Sequence, residues 1–188
     1  MRKLKLQMQV TVDGFVAGPK GELNWMARHD ADEALNAFIN HLTDTSDTIL
    51  LGRKMTDGFV KYWEHVTTQP DSPECAFARK MVDMPKVVFS KTLTHVDGKN
   101  VSVENGDLAA AVNGLKRQGG KDIVVYGRAS FVSSLIRAGL IDEFHFFVNP
   151  TAIGKGMQVF TARVPLKLVA STRYPSGIVV NGYTVFAG

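Results

Sequence analysis

Three short apolar runs constrain this chain more than anything else in it. Ile49-Leu50-Leu51, Val87-Val88-Phe89 and Ile123-Val124-Val125-Tyr126 are continuous rather than alternating, and each stops at a small residue: Gly52, Ser90 and Gly127. Runs of this kind read as strands covered on both faces, which is the condition of a parallel sheet with helices on either side. The segments between them have the helical period. Leu35, Phe38, Ile39 and Leu42 predict a helix over 31–42, with Asp30, Asp32 and Glu33 at its positive end. Shorter helices are expected over 54–61 and, behind Ser72-Pro73-Glu74 with proline at the first helical position, up to residue 82. Asp107 caps a helix carrying Leu108, Ala111, Val112 and Leu115, expected to end in a left-handed cap at Gly119-Gly120. Phe131, Leu135 and Ile136 mark a helix over 130–138.

The remaining strands follow from period two. Residues 3–12 alternate strictly, with Leu4, Leu6, Met8, Val10 and Val12 on one face and Lys3, Lys5, Gln7, Gln9 and Thr11 on the other. Strands are expected over 101–103 and 143–148, and two long ones over 166–174 and 178–186 around Pro175-Ser176-Gly177, a tight hairpin. Strands alternating with helices predict an α/β fold in three layers. Its mixed, mainly parallel sheet has about eight strands, with helices on both faces and a C-terminal antiparallel hairpin. No linker or repeat interrupts the 188 residues, so the expectation is a single domain over 1–188.

Composition narrows the function classes. Hydrophobic residues make up 45% and charged residues 21%, a balance that excludes disordered and fibrous chains. No apolar run approaches the ~18 residues of a membrane span, and the charged, alternating start does not read as a secretory leader. With one cysteine, Cys75, no internal disulfide is possible, and a cytoplasmic setting is expected. The net charge of +4 is spread along the chain without a basic block, so neither nucleic acid nor a membrane is an expected partner. The five histidines lack metal-ligand spacing, so no metal site is expected.

Chemistry is expected at the carboxyl ends of the strands. Gly52-Arg53-Lys54, Ser90-Lys91-Thr92 and Gly127-Arg128-Ala129-Ser130 share one design, in which a strand leaves through a small residue into cations, hydroxyls or a helix start. Helix N-termini suit phosphate, and arginine can bind it bidentately. Four cations at three strand ends favour a polyanion with separated phosphates, such as NADPH or a similar dinucleotide. There is no G-x-G-x-x-G or P-loop signature, so binding would follow another scheme.

These residues, with Val12-Asp13-Gly14-Phe15, Gly21-Glu22-Leu23-Asn24-Trp25, Val87 to Leu93, Gly139 to Glu143, Val148-Asn149-Pro150 and Gly154-Lys155-Gly156, resemble the dihydrofolate reductase superfamily. The resemblance covers essentially the whole chain. It is greatest to small proteins similar to the reductase domain of the riboflavin-biosynthesis deaminase-reductase. It implies an NADPH-dependent reductase of a pterin- or ribosylaminopyrimidine-like heterocycle. Gly52 and Arg53 would hold cofactor phosphates, Ser90 and Lys91 would sit near the adenosine 2′-phosphate, and Gly127, Arg128, Ala129 and Ser130 would carry the pyrophosphate. Val16 and Ala17 would border the nicotinamide. Asp30 is the candidate catalytic carboxylate, with a helix-start charge as the alternative. Trp25 is the candidate substrate-pocket wall, with packing on the core as the alternative. Thr56 stands one place later than the pattern expects, behind Lys54 and Met55. The glycine-rich loop 13–29 is expected to act as a lid, and a homodimer is expected because Val179, Val180, Val185 and Phe186 would otherwise burden a sheet edge. The competing reading is a nucleotide-binding module without catalysis.

Overall fold

The computed structural model describes residues 1–29 and 31–186. Eight strands form one sheet: β1 (Leu4–Thr11), β2 (Ser46–Gly52), β3 (Lys86–Phe89), β4 (Val101–Glu104), β5 (Asp122–Tyr126), β6 (Glu143–Asn149), β7 (Leu166–Arg173) and β8 (Val179–Val185). Among the described residues five helices connect them: α1 (Glu33–Asp44), α2 (Arg53–Thr67), α3 (Cys75–Asp83), α4 (Leu108–Arg117) and α5 (Ala129–Arg137). The strand order is β4-β3-β2-β5-β1-β6-β8-β7. Every pairing from β4 to β6 is parallel, and β8 runs antiparallel to both β6 and β7.

The apolar runs fill the middle of the sheet as their pattern requires. Leu4, Leu6, Leu50, Ile123, Val125 and Phe144 face α4 and α5, which contribute Val112 and Val132, Leu135 and Ile136. On the opposite face the core is split in two. Leu35 and Leu42 of α1 pack on Phe147 and Val180, whereas Phe59 of α2 and Met81 of α3 pack on Ile49, Leu51, Val88 and Val124. Between these two clusters lies the polar face of β1, carrying Lys5, Gln7, Gln9 and Thr11.

Local chemistry sets the helix boundaries. Asp32 caps α1, its carboxylate accepting from Leu35 N at 3.0 Å, and its second oxygen accepts from Ser176 N at 2.8 Å in the β7–β8 turn. Asp107 caps α4 through Ala110 N. The expected left-handed cap at Gly119-Gly120 does not form. Gln118 ends α4 in an extended conformation, and Gly120, at φ 134°, lies outside the helical left-handed region. Pro73 stands before α3 rather than in its first turn, and Ser72 Oγ accepts from Glu74 N. Helix α2 runs six residues further than its periodicity suggested, because in the added turns Val66 is buried and Trp63 packs on the core beneath α2 and α3. Lys86, buried at the start of β3, donates to the carbonyls of Met81, Val82 and Met84, closing the C-terminus of α3. Burial lowers its pKa to about 8. No helix of the described residues is long and apolar enough to cross a membrane.

Candidate active site

The connections out of the sheet place the site. Strands β2 and β1 send their helices, α2 and α1, to one face, while β5 between them sends α5 to the other. Crevices therefore open on both sides of the carboxyl end of β5, where ligands of open α/β sheets bind.

The first crevice, between β2 and β5, is a cleft of about 260 Å³ lined by Gly52, Arg53, Lys54, Phe89, Arg128, Ser130, Phe131 and Ser134. Two of the three strand-end turns thus meet in one place. Helices α2 and α5 both begin here without a side-chain cap, so their first N–H groups point into the cleft unsatisfied by side chains. Arg53, Lys54 and Arg128 are exposed, and none forms an ion pair among the described residues. Uncapped helix starts with cations outside any ion pair are an arrangement chemically suited to phosphate.

Phe131 is the residue that sequence reasoning missed. Its ring stacks on Phe89, with centroids 5.7 Å apart. A Cβ on Gly52 would stand 2.8 Å from its Cβ and Cγ, and one on Gly127 2.7 Å from its Cδ1. Both glycines are therefore explained by the aromatic wedge between the two turns. Two glycines at adjacent strand ends, facing one aromatic in the next helix, were the available signal.

The third turn is arranged differently. Ser90 is buried, and its Oγ accepts from Thr92 N at 3.1 Å and Leu93 N at 2.8 Å, so the hydroxyl holds its own turn. Lys91 Nζ donates to the carbonyls of Asn105 and Gly106, away from the cleft lining. Thr56 is buried and donates back to Gly52 O at 3.2 Å, as helical threonines do.

The second crevice lies between β5 and β1. Pairing of these strands ends at Leu6–Val125, while β1 continues to Thr11 beside β6. Tyr126 donates to Gln7 Oε1 at 3.2 Å, and burial pushes its pKa up to about 12, so the phenol keeps its proton. The loop that follows β1 overhangs this end and is tied down at several points. Val16 N donates to Met157 O at 2.9 Å and Met157 N to Ala17 O at 2.8 Å, which fixes both expected nicotinamide neighbours. Asp13 accepts from Thr11 Oγ1, Ile153 N and Gly154 N. Its pKa is lowered chiefly by the Thr11 hydroxyl. Trp25 is 7% exposed, and its indole N–H is spent on Glu22 O at 3.1 Å. A Cβ on Gly21 would stand 3.7 Å from Arg128 Nη1, so the loop tip reaches the mouth of the first crevice. Asp30 lies outside the described residues. No metal-ligand cluster occurs among those described.

The class of protein is now defined: the sheet order and its antiparallel end are those of the dihydrofolate-reductase-like fold. Residues 2–180 match the family model of the RibD C-terminal domain, and the chain belongs to that family. Its relatives include the uncharacterized protein YyaP of Bacillus subtilis, 35% identical over 181 residues, 95% of this chain and 92% of that one. Among solved structures, the Thermotoga maritima diaminohydroxyphosphoribosylaminopyrimidine deaminase/5-amino-6-(5-phosphoribosylamino)uracil reductase superposes with a TM-score of 0.66 at 14% identity. That match covers 98% of this chain and 57% of the Thermotoga chain. Enterococcus faecalis dihydrofolate reductase, solved with NADP(H) and RAB-propyl, matches with a TM-score of 0.62 at 14% identity, covering 97% and 96%.

Proposed function

We propose that this protein is an NADPH-dependent reductase of a small heterocycle of the pterin or ribosylaminopyrimidine type, acting as a homodimer. One observation carries the reading: the cleft that joins Gly52-Arg53-Lys54 to Arg128 and Ser130 at two uncapped helix starts. Family membership and the NADP(H) bound by the Enterococcus enzyme support it.

The residues present suit such a cofactor. The free N–H groups of α2 and α5, with Arg53, Lys54 and Arg128, would take its phosphates, and Val16 and Ala17 would border the nicotinamide end. Bound there, the cofactor supplies the hydride; the protein's task is alignment and exclusion of water. The loop from Asp13 to Ala27 would give that exclusion, since its tip reaches Arg128 and its end is held on Asn149. The alternative is a nucleotide-binding module on the same fold without catalysis. Oxidation of NADPH by candidate heterocycles separates the two.

Titration calorimetry tests the cofactor assignment. NADPH should bind more tightly than NADH by about tenfold or more, since one charge-assisted phosphate contact contributes roughly 1.5–3 kcal/mol. Arg53→Ala should remove most of that preference, and Lys91→Ala little of it, because Lys91 is held on the carbonyls of Asn105 and Gly106. Equal affinity of the unaltered protein for both cofactors would count against the site.

A further inference from the structure

An amide pair on the floor of the second crevice plays no part in the cofactor reading. Asn149, the last residue of β6, is wholly buried. Its Oδ1 accepts from Ala27 N at 2.8 Å, and its Nδ2 donates to Phe147 O at 3.0 Å and to Gln9 Oε1 at 2.8 Å. These partners settle which way the Asn149 amide faces, since only its oxygen can accept from Ala27 and only its nitrogen can donate to Phe147. The orientation of Gln9 follows. Its oxygen is committed to Asn149, and its Nε2 faces away. Gln9 is half-buried, and its Nε2 has no hydrogen-bond partner among the described residues, yet it is not sealed from solvent. It stands on β1 beyond the end of β5, within the polar strip that divides the two cores of this face.

We propose that Gln9 and Asn149 select the ring edge that a substrate presents. Gln9 Nε2 donates to a carbonyl oxygen of a planar lactam or imide, and Asn149 is the positioning residue that keeps this amide from turning over. The proposal rests on the reading that the β1–β5 crevice receives the heterocycle. A ring offering an amino group at that point would set donor against donor, and both would lose their water partners. Because Asn149 also holds Ala27, the element that orients the ring is joined to the loop that covers it.

A matched probe pair tests this: pteridine-2,4-dione and pteridine-2,4-diamine, titrated by fluorescence against the full chain, with and without saturating NADPH. The dione should bind about tenfold more tightly, the effect of one unpaired polar group in a desolvated site. Gln9→Glu keeps an oxygen for Asn149 but removes the donor, and should abolish or invert the preference while leaving NADPH affinity unchanged. Asn149→Asp frees the Gln9 amide to turn and should bring the ratio toward one. If that buried substitution prevents folding, Gln9→Glu decides alone. A wild type that prefers the diamine or binds neither probe overturns the proposal, as does a Gln9→Glu protein with an unchanged ratio. Failure to bind NADPH would instead strike the functional reading, because the probe ratio is read without cofactor as well.

Discussion

Phe131 organises the first crevice more than any charged residue does. It separates two strand-end turns, stacks on Phe89 and leaves no room for a side chain at Gly52 or Gly127. Gly52→Ala should therefore destabilise the protein by about 1–3 kcal/mol, the usual cost of overpacking. Phosphate binding should weaken with it, because Gly52 is the N-cap of α2. Adding Phe131→Leu should recover part of the loss, so the pair would be non-additive in urea unfolding. Additive effects would mean that the ring does not clash with the new methyl. Reading glycine at a strand end as room for a ligand picked two turns that the structure brings into one cleft, for an incomplete reason. The room is taken by an aromatic from the following helix, and no residue spacing reports which side chain will fill a gap.

At the scale of elements, the loop from β1 to α1 decides how much of the lid idea survives. Its ends are fixed by Asp13, Val16, Ala17 and Ala27, and Trp25 is buried, so movement is left to the turn around Gly18 and Gly21. Hydrogen exchange should show Val16 and Ala27 protected without cofactor, and residues 19–24 gaining protection on adding NADPH. Equal exchange of 19–24 in both states would leave the loop as a rigid wall. Asp13 gives the tether a pH dependence of known sign. Its carboxyl is lowered from the ordinary 3.8, so the tether's contribution is whole above that value and lost as pH falls through the depressed one. Trp25 fluorescence should report this acid transition, and Asp13→Asn should remove it. The alternation of β1 was legible, and so was its polar face. What periodicity could not supply was the neighbours: a strand placed between β5 and β6 has no solvent face, so Gln7 and Gln9 had to line a crevice. The α4 terminus failed for a related reason, since two glycines permit a left-handed cap without requiring one.

For the whole molecule, the hairpin changes which residues are available for association. Val180 is buried in the α1 core, because β8 lies inside the sheet and β7 is its edge. The apolar groups left in the open are Leu168 at 54% and Val169 at 57% exposure, with Val185 and Phe186 beside them. An edge strand with unpaired backbone groups and exposed apolar side chains suits an isologous pairing. The proposed homodimer should appear by light scattering at micromolar concentration, and Leu168→Lys with Val169→Lys should yield monomers that still bind NADPH. A monomeric wild type would remove the inference.

The strand order also bears on how the chain is made. Leu4 pairs with Ile123, and Lys5 with both Val124 and Glu143, so β1 leaves the ribosome before both its neighbours and waits for them. At roughly 5–20 residues per second, that wait lasts on the order of ten seconds. Throughout it, any strand formed by the alternating β1 would have two open edges. Its charged and amide face, which later lies between the two cores, is of the kind that disfavours pairing of such a segment with its own kind.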